Sequence, residues 1–446
     1  MNPGGTWDSI AYYNIACNNN YATTQFYGGG FSTSANWETC VGGTQDNGSF
    51  GIKNYNGTTN PIYGGDDGPD YISQQNSNLA YVTSWFGGTN IIGRTTSFMS
   101  SSPSFTFPTG QPGSYESFNL PPPYQINYAD GNQLYFATHA GLWRTTDEGT
   151  DWTRLNQTGD DIAGIQHVGC TNATNPSVYF ASYVSPNAHF YRITNAQTFT
   201  PGTPTDLSAS IPLAVQGASF GEISQTPSGG ISTTLFMCTT NYSSIPHIYK
   251  VTNANGNSPT WTDITGDIHT NYPKLAVNEV QADPLNSNNI FAATDYGLYY
   301  TTNGGTNWSK ETRIPNTWIT EMQLRASDRK LFLFTYGRGV WYCSLASIGG
   351  IVQQASVEPT PATPQLQFSL YPNPATQKLT VNPQQELSSS ARIAIYSSDG
   401  RMISESAWNP TGGQGQEVNI SSLPSGAYFL QITDGNLIAK NKFVKM

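Results

Sequence analysis

The chain contains nearly the same segment twice, as RTTDEGTDWTRL at residues 144–155 and as YTTNGGTNWSKE at residues 300–311. Both fit the pattern Ser/Thr-x-Asp-x-Gly-x-x-Trp, with Asn303 replacing Asp in the second copy. Two incomplete copies end at Trp7 and Trp261. The four tryptophans are separated by close to three, two and one units of roughly 50 residues, a period typical of the blades of a β-propeller.

Each unit has the pattern of a small antiparallel sheet. Residues 133–155 and 289–311 alternate short apolar and aromatic runs with polar turns, as paired strands do. Six units fit between the first and last of these tryptophans, and residues 318–345 supply three further strands. Residues 8–13 can supply the fourth, which would close the ring and leave no open sheet edge. We therefore predict an all-β propeller of about seven blades with a composite closing blade.

The composition argues against several classes of protein. Charged residues make up 11% of the chain, aromatic residues 13%, and the net charge is −10 with 19 Lys plus Arg. Binding to nucleic acid depends largely on cationic groups, so we expect no nucleic-acid partner. No apolar stretch reaches the length of about 18 residues that a membrane helix needs, so we expect no membrane span. A neutral, polar surface is typical of secreted β-rich proteins.

No motif indicates a tightly bound transition metal or an activated nucleophile. The five histidines lack the spacing of zinc ligands, and the five cysteines form no CxxC pair. Cys17 and Cys40 are near enough in sequence to form a disulfide, but an odd count also suits buried thiols. We expect no obligatory cofactor.

Three further segments accompany the repeated pattern: VGGTQDNGSF at residues 41–50, YGGDDGPD at residues 63–70 and TYGRGVW at residues 335–341. Together with the repeats, they resemble the Asp-box (BNR) propellers of sialidases, sortilin and family 74 glycoside hydrolases. The resemblance covers residues 1–347, which we assign to the propeller.

The residues of the repeated pattern, called here the Asp boxes, are expected to be structural. The Asp or Asn side chain accepts backbone N–H groups, the Gly permits a tight turn, and the Trp packs inward. These residues are Asp147, Gly149 and Trp152 in one copy and Asn303, Gly305 and Trp308 in the other.

An acidic cluster is the main candidate for chemistry. Asp46, Asp66 and Asp67 are candidate catalytic carboxylates for the hydrolysis of a glycoside. Asp66, Asp67 and Asp70 are candidate ligands of Ca²⁺. The alternative is that these residues only form tight turns at strand ends. In family 74 enzymes, two propellers each supply a catalytic Asp, so the resemblance implies that one propeller alone is an incomplete enzyme.

The C-terminal part has a different pattern. Residues 348–367 are rich in Pro, Thr and Gln and are predicted to be an extended linker. In residues 368–446, alternating strands separated by SDG and TDG turns predict a small Ig-like β-sandwich.

The same segment resembles the C-terminal sorting domain of the type IX secretion system of Bacteroidetes. The residues that carry this resemblance are Tyr371, Pro372, Asn373, Pro374, Asp399, Gly400, Gly426, Ala427, Tyr428, Lys442, Phe443, Val444 and Lys445. The resemblance implies export across the outer membrane and the type IX machinery as a partner.

Export of this kind requires an N-terminal signal. The segment MNPGGTWDSI has neither a basic start nor an apolar core, and it already lies within a box. We therefore expect the natural protein to begin upstream of Met1 with a signal peptide.

The function expected from the sequence is binding rather than catalysis. We expect a secreted or cell-surface propeller that binds carbohydrate or another surface protein. Exposed aromatic residues such as Trp85, Phe86, Tyr124 or Tyr183 are candidates for stacking on sugar rings, although most strand aromatics pack in the core. The alternatives are a family 74-like glycoside hydrolase, similar to xyloglucanases, and a structural surface-layer protein.

Overall fold

The computed structural model describes most of the chain in two compact units, Met1–Gln353 and Gln354–Met446. The described residues are 8–9, 24–32, 39–52, 59–84, 91–100, 102–114, 116–119, 121–139, 141–157, 162, 164–225, 234–325, 328–348, 366, 368–383, 387–397, 401–410, 415–435 and 437–446.

The described residues of the first unit form seven antiparallel sheets, which are the blades of a propeller. A short first strand, β1, spans Asp8–Ser9. Blade 1 contains β2 (Phe26–Phe31), β3 (Cys40–Thr44), β4 (Gly48–Ile52) and β5 (Thr59–Tyr63). Blade 2 contains β6 (Tyr71–Ile72), β7 (Ala80–Thr83) and β8 (Ile92–Thr95). Blade 3 contains β9 (Tyr124–Ile126), β10 (Leu134–Ala137), β11 (Leu142–Thr145) and β12 (Thr153–Arg154). Blade 4 contains β13 (Ile165–Cys170), β14 (Val178–Val184), β15 (Asn187–Ile193) and β16 (Thr205–Asp206).

Blade 5 contains β17 (Ser224–Gln225), β18 (Leu235–Cys238), β19 (Ile248–Thr252) and β20 (Thr260–Asp263). Blade 6 contains β21 (Val277–Asp283), β22 (Asn286–Thr294), β23 (Gly297–Thr301) and β24 (Ser309–Lys310). Blade 7 contains β25 (Ile319–Arg325), β26 (Lys330–Thr335) and β27 (Gly339–Ser344). Helical structure among the described residues is limited to the helix α1 (Ile268–Asn271) and to 3-10 turns at Pro112–Ser114, Ser208–Ser210, Leu213–Val215 and Leu345–Ser347.

The predicted composite blade is confirmed. Strand β1 pairs antiparallel with β27, with Asp8 opposite Tyr342 and Ser9 opposite Trp341. The start of the chain therefore supplies the fourth strand of blade 7, and the sheet order is β1-β27-β26-β25. A ring closed in this way has no unpaired edge at the junction of its ends.

The core lies between the faces of neighbouring blades. Between blades 4 and 5, Tyr179 and Phe190 pack in one cluster with Met237 and Tyr249. All four side chains are at most 3% exposed. Burying an aromatic or long apolar side chain contributes about 1.5–3 kcal/mol, so such clusters hold the blades together. Within the described part of the chain, no helix is long and apolar enough to cross a membrane.

The second unit consists of two packed sheets. Its strands are β28 (Phe368–Tyr371), β29 (Lys378–Pro383), β30 (Arg392–Ser397), β31 (Met402–Ala407), β32 (Gln416–Asn419), β33 (Gly426–Asp434) and β34 (Leu437–Lys445). The sheet orders are β28-β29-β32 and β31-β30-β33-β34. Leu379, Ile393, Leu430 and Phe443 belong to the shared core between them. The predicted small Ig-like β-sandwich is confirmed.

Candidate functional site

The first strands of the blades border a central channel that contains two cavities. Residues at or before the starts of these strands, among them Tyr27, Tyr71 and Asn278, line a cavity of about 330 Å³, called here the upper mouth. Residues nearer their ends, among them Gln281 and Gln323, line a cavity of about 130 Å³, called here the lower cavity. The first strands therefore all run from the upper mouth toward the lower cavity.

This direction assigns each turn to a face of the ring. Because strands alternate in direction, turns between second and third strands, and connections between blades, lie on the face of the upper mouth. Asp46 lies in the turn between β3 and β4, and Asp66, Asp67 and Asp70 lie between β5 and β6. The sequence-predicted acidic residues are thus on the mouth face. The turns between third and fourth strands, which carry the Asp boxes, lie on the opposite face.

The first Asp box forms a closed hydrogen-bonded turn. Asp147 Oδ1 accepts the backbone N–H groups of Thr150 and Asp151 at 3.1 and 2.9 Å. Gly149 has a φ of +85°, which a residue with a side chain rarely adopts. Trp152 donates its indole N–H to the carbonyl of Gly149 at 3.1 Å.

The second box repeats this geometry with Asn in place of Asp. Asn303 Oδ1 accepts the N–H of Asn307 at 3.0 Å. Gly305 has a φ of +95°. Trp308, which is 7% exposed, donates its indole N–H to the carbonyls of Ile264 and Gly305. In both copies, the oxygen of the Asp or Asn side chain and the indole N–H of the Trp are bonded within the fold.

A β-bulge occurs at the same place in the first strand of four blades. Register shifts fall between Phe26 and Gly28, Ile165 and His167, Val277 and Glu279, and Ile319 and Glu321. A bulge re-aims the side chain of its extra residue. The extra residues are Tyr27, Gln166, Asn278 and Thr320, and all four line the upper mouth.

Aromatic side chains form one side of the upper mouth. Trp318 is 42% exposed and its ring lies 5.0 Å from that of Tyr336. Tyr336 in turn lies 5.8 Å from Tyr27. We call these three residues the aromatic rim. Tyr242 is 70% exposed, lines the same mouth and donates its hydroxyl to Asp295.

Asp46 and Asp66 lie next to the aromatic rim. The backbone N–H of Asp46 donates to Asp66 Oδ1 at 2.7 Å. Burial, the neighbouring Tyr336 and the charges of Asp66 and Asp46 raise the pKa of Tyr27 to about 12. Tyr27 therefore stays a neutral phenol and can donate a hydrogen bond at neutral pH.

Asp67 and Asp70 are completely buried below this surface. Asp67 accepts the hydroxyl of Ser49 at 2.7 Å, and Asp70 accepts the backbone N–H of Thr83 at 3.0 Å. Burial and the charge of Asp66 raise the pKa of Asp67 to about 7. Burial and the charge of Asp67 raise the pKa of Asp70 well above its usual range. Burial thus favours the protonated form of both carboxyls, and neither is exposed to a ligand in the mouth.

The predicted calcium site gains no support from this geometry. Asp66 faces the amide of Asp46, while Asp67 and Asp70 are hydrogen-bonded within the fold. In the described parts of the chain, no group of three or more His, Cys, Asp or Glu side chains is arranged to hold a metal ion. Calcium at these residues stays a prediction.

Three glutamates meet in the channel, of which Glu279 and Glu321 are buried and Glu222 is partly exposed. Glu222, Glu279 and Glu321 come from blades 5, 6 and 7, and Glu222 and Glu321 line both cavities. Glu321 Oε2 accepts the backbone N–H of Gly29 at 2.8 Å. Burial raises the pKa of Glu222 to about 7. Burial and the charge of Glu222 raise the pKa values of Glu279 and Glu321 well above the usual range.

Sequence reasoning missed these glutamates, although a signal was present. They occur in the short segments GEIS, NEVQ and TEMQ, where an acidic residue precedes an apolar and a polar one in three successive blades. The three consecutive glycines of β2 are a second signal. A Gly in a strand often marks a place where another part of the chain comes close to the backbone. A Cβ atom at Gly28 would lie 2.2 Å from Glu321 Oε2.

The aromatic residues that the sequence suggested for stacking on sugar rings do not form the aromatic rim. Tyr124 lines the mouth but is 4% exposed, and its hydroxyl donates to the carbonyl of Pro69 at 2.7 Å. Tyr183 packs against the core between blades 4 and 5. Trp85 and Phe86 lie outside the described residues. Tyr124 is therefore a core residue, and Tyr183 is a partly buried residue packed against the core.

The thiols are described for four of the five cysteines. Cys40, Cys170, Cys238 and Cys343 are buried thiols. Cys17, the proposed partner of Cys40, lies outside the described residues.

In the second unit, the residues of the sorting-domain pattern come together at one end of a sheet. Asn373 donates its amide to the carbonyl of Lys442 at 3.0 Å and accepts the N–H of Val444 at 2.9 Å. Phe443 is fully buried and stacks on Tyr428 at 5.5 Å. These two hydrogen bonds hold the final strand, β34, against the segment around Asn373. Tyr371, Pro372, Pro374, Lys442 and Val444 are exposed, and Gly426 pairs with Lys445.

Comparison with protein families identifies the second unit. Residues 369–446 match the family described as the secretion system C-terminal sorting domain. A domain of this kind marks a chain for export by its secretion system. A comparison with curated protein sequences finds no match.

Comparison with solved structures supports the propeller. YCF48 from Cyanidioschyzon merolae matches with a TM-score of 0.52 at 11% identity, over 76% of this chain and 99% of that chain. The GH74 enzyme of Niastella koreensis matches with a TM-score of 0.54 at 16% identity, over 98% of this chain and 74% of that chain.

The extracellular domain of BT4673 from B. thetaiotaomicron matches with a TM-score of 0.52 at 12% identity, over 99% of this chain and 59% of that chain. The present chain thus spans less than two thirds of that domain. At these identities, the likeness concerns the fold alone.

Proposed function

We propose that the protein is exported by the type IX system and binds a neutral polysaccharide at the upper mouth on the outside of the cell. The observation that carries this proposal is the aromatic rim beside a cavity of about 330 Å³. Sugar rings have apolar faces that stack on Trp and Tyr, while their hydroxyls need polar partners. Here the hydroxyl of Tyr242, the carboxylate of Asp295 and the amide of Asn278 lie in the same mouth.

The charges of the mouth favour a neutral ligand. Asp295, Glu222 and Glu321 line it, and the described lining residues include no Lys or Arg. His167, also in the lining, is partly buried, and desolvation lowers its pKa to about 4. The described lining therefore offers no cation to pair with an anionic ligand at neutral pH, so uronates and sulfated glycans are disfavoured.

The proposal is tested with the purified full chain against a panel of neutral and acidic polysaccharides, scoring both retention and released reducing ends. Trp318→Ala removes the exposed ring of the rim. Loss of about 1.4 kcal/mol of stacking weakens retention about tenfold. Tyr371→Ala is the matched control, because Tyr371 is also an exposed aromatic, at 53%, but belongs to the second unit. Equal retention of Trp318→Ala and wild type would refute the proposed site.

Release of reducing ends is the outcome that favours the rival function. Asp46 and Asp66 lie beside the aromatic rim, where a bound chain would pass. Release that disappears in Asp46→Asn or Asp66→Asn would make the protein a glycoside hydrolase. If the protein neither retains a polysaccharide nor releases reducing ends, the result points to a protein partner or a structural role at the cell surface.

A further inference from the structure

The lower cavity is a second space in the channel and shares Glu222 and Glu321 with the upper mouth. It measures about 130 Å³ and lies toward the ends of the first strands, away from the aromatic rim. Glu222, Glu279 and Glu321 line it together with Gln281 and Gln323. At roughly 30 Å³ per water molecule, it has room for a small ligand of about four or five heavy atoms.

Two amides of this cavity bond to its carboxyls, and one acceptor is left over. Gln323 donates its amide to Glu321 Oε1 at 2.7 Å, and Gln281 donates its amide to Glu279 Oε1 at 2.6 Å. Gln323 itself is 5% exposed, and its Oε1 is buried without a partner among the described residues. A buried acceptor left in this way costs about 1–3 kcal/mol, which a donating ligand would recover.

No protein cation compensates for the three carboxyls. Among the described residues that line the lower cavity there is no Lys, Arg or His. Two arginines lie near the ends of the neighbouring elements, but each is already paired. Arg325 binds Asp328 at 2.7 Å, and Arg329 binds Asp283 at 2.6 Å.

The other titratable groups that act on the glutamates are acidic or neutral. Asp70 acts on Glu321, and Glu222 acts on both other glutamates. Tyr71 and Cys238 are buried and Tyr128 is partly buried, and desolvation raises the pKa of each well above its usual range. These three groups are therefore neutral, and the cavity holds negative charge or protons that replace it.

We propose that the lower cavity binds the ammonium group of a small aliphatic primary amine. An ammonium has three N–H donors and no acceptor, which complements carboxyl oxygens and the free Oε1 of Gln323. Its charge compensates carboxylates that no side chain compensates. A metal ion fits less well, since the described residues include no group arranged to hold one. This proposal does not rest on the polysaccharide proposed for the upper mouth, although Glu222 and Glu321 line both spaces.

Binding of an ammonium must displace protons from the glutamates. Burial favours their protonated forms, whereas a bound cation favours the carboxylates. We therefore expect proton release on binding and an affinity that rises between pH 6 and pH 8. An aliphatic amine stays charged throughout this range because its pKa is about 10.4.

The test uses isothermal titration of the full chain with n-butylammonium chloride at constant ionic strength, in two buffers of different ionisation enthalpy. Saturable binding with proton release is expected, and n-butanol, which has similar size but no charge, is not expected to bind. Glu222→Gln is expected to weaken binding at least about tenfold. Glu148→Gln is the control, because Glu148 forms an ion pair with Arg94 away from the cavity.

Three results would overturn the proposal: no binding of butylammonium, equal binding of n-butanol, or equal loss in both Glu variants. Gln323→Leu provides a second variant at the cavity, since it removes the unpartnered acceptor while leaving all three glutamates. Thermal unfolding of each variant shows that it is folded. Polysaccharide retention by the same variants is measured separately, so failure of either site is recognised independently of the other.

Discussion

Replacing Glu222 with Gln is expected to remove a pH dependence from the stability of the propeller. Burial raises the pKa of Glu222 from its ordinary value of 4.5 to about 7, so the folded state prefers the protonated form. The stabilisation associated with this proton is complete below pH 4.5 and is lost as the pH rises to about 7. A difference of about 2.5 pKa units, at 1.36 kcal/mol per unit, corresponds to about 3 kcal/mol.

A glutamine keeps the shape of the protonated carboxyl but cannot ionise. The variant is therefore expected to resemble wild type at pH 4.5 and to be more stable by about 3 kcal/mol at pH 8. The propeller unit, Met1–Gln353, has an unfolding entropy of about 0.7 kcal/mol/K if each residue contributes about 2.1 cal/mol/K. The gain at pH 8 then corresponds to a rise of about 4 °C in the unfolding temperature.

Differential scanning calorimetry of the full chain between pH 4.5 and pH 8 measures this difference. Glu148→Gln serves as the control, since its carboxylate is partly exposed at the rim of an Asp box and pairs with Arg94 at 2.7 Å. The reasoning is refuted when the wild type and Glu222→Gln curves stay parallel across the whole pH range. It is also refuted when Glu148→Gln shows the same gain at pH 8.

Two further substitutions test the architecture. Asp147→Ala leaves two backbone N–H groups of the box without their acceptor, so we expect a loss of about 1–2 kcal/mol in thermal unfolding, with polysaccharide retention unchanged because the box lies on the other face. Arg329→Met leaves the buried carboxylate of Asp283 without its charge partner, so we expect a loss of about 3–5 kcal/mol, measured by the same unfolding experiment. A smaller loss for Arg329→Met than for Asp147→Ala would contradict the role given to the buried ion pair.

The blades could be predicted from the sequence because their signals are local. A box, its turn glycine and its tryptophan lie within eight residues, and alternating apolar runs mark the strands beside them. The composite blade followed from a physical requirement, namely that a ring should leave no free edge. The sorting domain was recognisable for a similar reason, since the segments around Asn373 and Phe443 are each short and distinctive.

The channel could not be predicted in the same way, because its contacts join distant parts of the chain. Glu321 accepts the N–H of Gly29 across 292 residues of sequence. Nothing local to either residue shows which blade will lie opposite. The four aspartates of the predicted acidic cluster show a second limit, because closeness in sequence does not predict how exposed a side chain will be. Asp66, Asp67 and Asp70 are near neighbours in sequence and Asp46 lies 20 residues earlier, but the fold exposes Asp46, leaves Asp66 partly exposed and buries Asp67 and Asp70 completely.

The bulges explain how a repeated fold acquires a site that is not repeated. Four blades carry the same irregularity in the first strand, and each bulge presents one side chain to the upper mouth. The backbone feature is shared, but the residues presented are Tyr27, Gln166, Asn278 and Thr320. A phenol, two carboxamides and a hydroxyl offer stacking together with donors and acceptors, as a polyhydroxylated ligand requires. Box residues can therefore remain alike for the sake of the turn, while the residue at each bulge varies without disturbing the sheet.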